Sequence, residues 1–167
     1  MKNQLFYSSM IDPEVQRGKA DPVKDIADAI GRGAEIGDAG GDRVKVNFAS
    51  PSSFISDTRI LFLGCDVSGG KISVTTHKNL HRIMQNMKAD QVKGVAVFTI
   101  LNSGTRTALA EVKSILEPKG IKVLDDEFSV KVPGLFSRKK FPSEEDLAAA
   151  KAFGEKVIKD YRAERSY

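Results

Sequence analysis

Tryptophan is absent from this chain, and cysteine occurs once, as Cys65. A lone cysteine excludes an intrachain disulfide and any metal site built from several thiolates. Aromatic residues make up 7% of the chain, with 3 Tyr and 9 Phe, so surfaces on which a flat ligand can stack are scarce. Long hydrophobic runs are missing too. The longest, residues 95–101, falls far short of the roughly 20 apolar residues a spanning helix needs. Residues 1–10 show no apolar stretch leading to a small-residue cleavage site. These absences set the expectation of a soluble, cytoplasmic protein with no membrane contact.

Neither sign of charge dominates. Lys and Arg number 26 against 22 for Asp and Glu, a net charge of +4 and a pI near 9.1. The cations are dispersed, so no nucleic-acid partner is expected. The one tight basic run, Arg138-Lys139-Lys140, reads as a solvated loop. Hydrophobic residues at 41% and charged residues at 29% suit a packed globular chain. A length of 167 residues suits a single domain, 1–167, with a core of its own.

Apolar runs alternate with helical stripes. Leu5-Phe6-Tyr7, the alternating Val44, Val46 and Phe48, the run 59–63 and the run 94–101 read as four strands. Residues 121–124 read as a fifth, with 128–132 as a segment to pair with it. The two continuous runs suggest strands buried on both faces, as in a parallel sheet. Asp21-Pro22 supplies a cap and a first-turn proline for a stripe of Val23, Ile26, Ala27 and Ile30, which Gly31 is expected to stop. Leu80, Ile83, Met84 and Met87 form a second stripe, and Leu109, Val112, Ile115 and Leu116 a third, closed by Pro118 and Gly120. A last helix starts at Pro142-Ser143, with Asp146 placed for a capping box. Segments 9–21 and 32–43 read as loose loops.

This ordered set resembles the flavodoxin family. Ile60-Leu61-Phe62-Leu63-Gly64 followed by Gly69-Gly70-Lys71-Ile72-Ser73 is similar to the family's third strand and the loop after it. Leu5-Phe6-Tyr7-Ser8-Ser9 looks like the first strand, residues 95–99 the fourth, and Pro142-Ser143-Glu144-Glu145-Asp146-Leu147 the final helix. The resemblance implies a flavodoxin-like α/β doubly wound fold, with a five-stranded parallel sheet in the order 2-1-3-4-5 and helices on both faces. Ligands of such sheets bind at the strands' carboxyl ends, at the switch between strands 1 and 3. In the family that ligand is FMN, and the role is electron transfer.

Three loops meet at that place: 8–21, 64–71 and 101–106. Carried over position by position, the resemblance implies cofactor-binding roles for Ser8, Ser9, Gly64, Cys65, Asp66, Val67, Ser68, Gly69, Asn102, Ser103 and Gly104. The loops depart from the family in two ways. The Thr-Gly-Asn-Thr type phosphate turn is missing, and a capping carboxylate at Asp21 would satisfy the helix amides and repel a phosphate. No aromatic falls in the three loops; Val67 and Ser68 stand where one is common. FMN binding is therefore expected to be atypical, weak or lost. The alternative is a cofactor-free flavodoxin-fold module for binding or interaction.

Other constellations carry less. His77 and His81 are four apart, a spacing that can serve one metal ion, but no third ligand follows and they read as exposed or partly packed. Cys65 reads as a small apolar packer at the mouth of the site. Phe136 and Phe141 flank the basic run and could cover a pocket. No catalytic residue and no metal is assigned. A redox partner protein or a small-molecule ligand fits this reading, and the oligomeric state stays open.

Overall fold

In the computed structural model, which describes residues 1–11, 18, 20–41 and 43–166, strands and helices alternate along the chain. The order is β1 (Lys2–Ser8), α1 (Pro22–Gly37), β2 (Lys45–Phe48), β3 (Thr58–Val67), α2 (Lys78–Asn86), β4 (Val92–Leu101), α3 (Leu109–Leu116), β5 (Val123–Lys131) and α4 (Glu144–Glu164). All neighbouring strands pair in parallel, in the order β2-β1-β3-β4-β5. This is the flavodoxin-like topology, with the order reversing between β1 and β3.

Side chains of β3 and β4 alternate between two cores. Leu61, Leu63, Cys65, Val67, Val95, Val97 and Leu101 pack with α2 and α3. Ile60, Phe62, Ala96, Phe98 and Ile100 pack with α1 and α4. Both faces are covered, which is why these strands read as unbroken apolar runs. Phe62 and Phe98 are fully buried, each contributing about 1.5–3 kcal/mol by removal from water. Gly64 leaves room for the Phe98 ring; a Cβ there would lie 2.1 Å from it.

Two expectations need correction. Gly31 does not stop α1, which runs on to Gly37 with Asp38 as its C-cap; only the later part of segment 32–43 is loop. The glycines serve helix packing instead. A Cβ at Gly33 would lie 1.8 Å from the Lys151 carbonyl oxygen, and one at Gly154 would lie 2.1 Å from that of Ile30. The small residues let the backbones of α1 and α4 touch, a gain that outweighs the roughly 1 kcal/mol propensity penalty of each glycine. The second correction concerns the sheet edge. Segments 121–124 and 128–132 do not pair with each other; residues 123–131 are one strand, β5, whose register against β4 shifts between Val95 and Val97.

Other signals hold. Asp21 caps α1 by accepting from the Val23 N–H, with Pro22 at the start. Ser143 and Asp146 complete a reciprocal capping box on α4. Gly120 sits at φ 76°, where the chain leaves a short 3-10 turn, Glu117–Lys119, after α3. Most of the segment 9–21 lies outside the described residues. No described helix is long and apolar enough to cross a membrane.

Candidate functional site

Parallel pairing brings the ends of β1, β3, β4 and β5 to one edge. At the β1–β3 switch, Ser8 pairs in register with Cys65, which sets Asp66 one residue further along. α2 then delivers His77 from behind. Its apolar stripe, Leu80, Ile83 and Met84, is buried, and His77 lies three and seven residues before Leu80 and Met84, on the same face.

The result is a buried polar chain. Ser8 Oγ lies 2.8 Å from His77 Nδ1, and His77 Nε2 lies 3.1 Å from Asp66 Oδ1. An ionised Asp66 offers only acceptors, so the ring proton belongs on Nε2 and Nδ1 accepts the Ser8 hydroxyl. The contact to Asp66 is close but poorly aligned, leaving Oδ1 without a well-formed hydrogen bond. Asp66 Oδ2 accepts from the Met10 N–H at 3.3 Å and from Asn102 Nδ2 at 3.4 Å.

Ser9 belongs to a separate set of bonds. Its Oγ lies 3.0 Å from Asp21 Oδ2 and accepts from the Ile11 N–H at 2.9 Å. Asp21 Oδ1 takes the Val23 N–H at 3.0 Å. Burial raises the Asp21 carboxyl above its ordinary range; bonds from Ser9, Lys24 and Val23 oppose this, and the nearby Asp66 charge adds to it. Burial, with the Asp21 and Asp28 charges behind it, pushes the neighbouring Tyr7 phenol up to about 12.

The two remaining loops are tied together. The Asn102 N–H donates to the Val67 carbonyl at 2.9 Å, and the Gly69 N–H to Ser103 Oγ at 3.0 Å. Gly69 and Gly104 take φ values of 68° and 74°. Their backbones are exposed, and a Cβ on Gly69 would meet nothing within 4 Å.

Ser8, His77, Asp66 and Asn102 thus form one run of polar contacts and Ser9 with Asp21 a second, while Ser68, Gly69, Ser103 and Gly104 form an exposed rim. Gly64, Cys65 and Val67 belong to the buried sheet. Cys65 lies in the core rather than at a mouth, and burial first, then the Asp66 and Glu111 charges, pushes its thiol up out of the reactive range.

His77 is the residue that sequence reasoning misplaced. Both histidines are buried, not exposed. They also serve different partners: His81 Nε2 lies 3.3 Å from the Ile72 carbonyl oxygen and 3.8 Å from Glu111 Oε1. The signal was present in the spacing of 77, 80, 81 and 84, which puts both imidazoles on the apolar face.

Hydroxyl, imidazole and carboxylate stand in the order that activates a serine in hydrolases. Ser8 is only 3% exposed, however. A nucleophile needs room for the reacting carbonyl, so the chain acts here as an internal tie between β1, β3 and α2.

No family model matches the sequence, and no curated protein does. Solved structures do match in fold. An archaeal flavodoxin superposes with a TM-score of 0.62 at 17% identity, covering 97% of this chain and 99% of that one. Flavodoxin 2 from Bacillus cereus gives 0.62 at 16%, with the same coverage of 97% and 99%. The flavodiiron core of Flv1 from Synechocystis gives 0.63 at 19%, covering 98% of this chain but 36% of that one. The chain thus spans about a third of the flavodiiron protein and nearly all of either flavodoxin. At these identities the likeness defines the fold alone: the chain has a flavodoxin-like fold.

Proposed function

We propose that this chain is a flavodoxin-fold binding protein whose switch-point site has been refilled by its own side chains, so that FMN binding there is weak or lost. One observation carries the reading. Asp21 occupies the start of α1 with its carboxylate, holding the Val23 N–H on one oxygen and the Ser9 hydroxyl on the other. A helix start attracts phosphate through free N–H groups and the positive end of the helix dipole. Here a carboxylate holds that place, Pro22 has no N–H to give, and Asp66 adds a second negative charge close by.

Among the described residues this end does not fit a phosphate dianion. No described aromatic in loops 64–71 or 101–106 offers a stacking face. The carboxylate and hydroxyl oxygens of Asp21, Asp66, Ser8 and Ser9 are buried, so what this end offers a ligand is the exposed rim of Ser68, Gly69, Ser103 and Gly104.

A second reading, electron transfer through an atypically held FMN, draws on the open glycine rim. The exposed backbones of Gly69 and Gly104 would let the edge of a flat ring approach. Titration of the purified protein with FMN and with riboflavin, followed by flavin fluorescence, separates the two. A colourless protein with no gain in affinity from the phosphate supports the first reading. FMN bound far more tightly than riboflavin overturns it.

A further inference from the structure

The loop after β5 ends in a feature that the sheet and both cores leave unexplained. The Ser137 N–H donates to the Gly134 carbonyl at 2.8 Å, closing a turn with Leu135 and Phe136 at its two corners. Both side chains are 100% exposed. Phe136 therefore covers no pocket; Phe141 is the one that packs, against the core under α4. Two adjacent large apolar residues wholly in water at a turn apex are unusual for a lone folded chain.

Cations follow them directly. Residues 128–143 contain Lys131, Arg138, Lys139 and Lys140 and no Asp or Glu. All four cations are exposed, and among the described residues none forms an ion pair. Glu144, Glu145 and Asp146 in the first turn of α4 line a groove together with Lys131, Lys139 and Lys140. Asp146 is held by its capping box.

We infer that this loop is a peripheral membrane contact, an apolar tip inside a basic collar that docks on an anionic phospholipid surface. Leu135 and Phe136 enter the acyl boundary, while Arg138, Lys139 and Lys140 stay among the headgroups. Charge complementarity favours this occupant, since anionic leaflets attract polybasic segments. Shape favours it too: a two-residue apex can sink into a fluid interface without a preformed pocket. This proposal goes beyond the sequence-based expectation of no membrane contact. Because β5 lies two strands from β3, roughly 10 Å away, docking would turn the switch-point edge toward the bilayer. The inference does not depend on whether FMN binds.

The test uses the full chain with phosphatidylcholine vesicles, with and without phosphatidylserine. Co-sedimentation is expected only with the anionic vesicles, weakening as salt rises. Each cation is worth roughly fivefold at such a surface, so the R138Q/K139Q/K140Q variant should bind on the order of a hundredfold more weakly. The L135S/F136S variant should lose binding on a similar scale, roughly a hundredfold. These residues lie outside both cores, so the variants should fold normally, checked by circular dichroism. Because the chain has no tryptophan, Phe136→Trp supplies a single reporter whose emission should shift to the blue on anionic vesicles. Absent sedimentation, sedimentation unchanged in both variants, or a reporter that shifts with soluble polyaspartate but not with vesicles would each overturn the inference.

Discussion

Ser8 and His77 hold a hydrogen bond of 2.8 Å between side chains 69 positions apart. The bond joins the end of the first strand to the start of α2, at the point where the sheet reverses its order. Removing the imidazole with His77→Ala strands the buried Ser8 hydroxyl and takes away the group facing Asp66 Oδ1, while Asp66 Oδ2 keeps its bonds from the Met10 N–H and Asn102. Each buried polar group left unpaired costs about 1–3 kcal/mol. The expected loss is about 2–3 kcal/mol, a fall in Tm of roughly 5–10 °C for a chain of this size. Ser8→Ala should cost only about 1 kcal/mol. A double-mutant cycle in urea should show coupling above about 0.5 kcal/mol; strictly additive losses would mean the bond contributes nothing.

That bond marks the boundary of what the sequence made legible. The strand order followed from the resemblance, and the parallel, doubly covered character of the sheet from two unbroken apolar runs, because burial on both faces leaves a simple mark in composition. Caps were equally plain, since Asp21 and Ser143 sit immediately before their stripes. The glycines of α1 misled. Gly31 read as a helix stop and the segment 32–43 as a loop, because propensity is local, whereas Gly31 is called for by Val46 of β2 and Gly33 and Gly37 by α4, over a hundred residues away. The candidate site was legible as a place but not as a network. Ser8, Asp66 and Asn102 were named by position, yet the link between Ser8 and Asp66 runs through His77, whose partners are fixed by packing rather than spacing.

The contact between α1 and α4 makes its own prediction. A methyl at Gly154 meets the Ile30 carbonyl oxygen at 2.1 Å, and backbone on both sides cannot give way cheaply. Gly154→Ala should destabilise the fold by about 2 kcal/mol or more, although alanine is the better helix former. Gly134→Ala is the control. A Cβ there meets nothing within 4 Å, and the change should stay within about 0.5 kcal/mol of neutral. Urea unfolding of both variants decides the matter. Equal, small effects would show that the helices can move apart without loss.

Asp21 links the candidate site to pH. Its carboxyl is raised above the ordinary value of 3.8, chiefly by burial, so the folded chain holds this proton more tightly than the unfolded chain does. The stability it lends is fully present below 3.8 and is lost as pH rises through the raised folded value. Above that window the ionised group is a constant burden. Asn is an equally good cap, and in Asp21→Asn the amide oxygen can accept from the Val23 N–H while the amide nitrogen donates to Ser9. Relative to the parent, Asp21→Asn should therefore gain stability between acid and neutral pH, read from urea midpoints across that range. The same substitution removes a negative charge from the helix start. FMN affinity should rise on the order of tenfold, about 1.4 kcal/mol, while riboflavin, which has no phosphate, should bind as before. A pH slope that disappears together with a selective gain for FMN assigns both effects to one carboxylate. If FMN affinity does not change, charge repulsion at Asp21 is not what keeps the phosphate out.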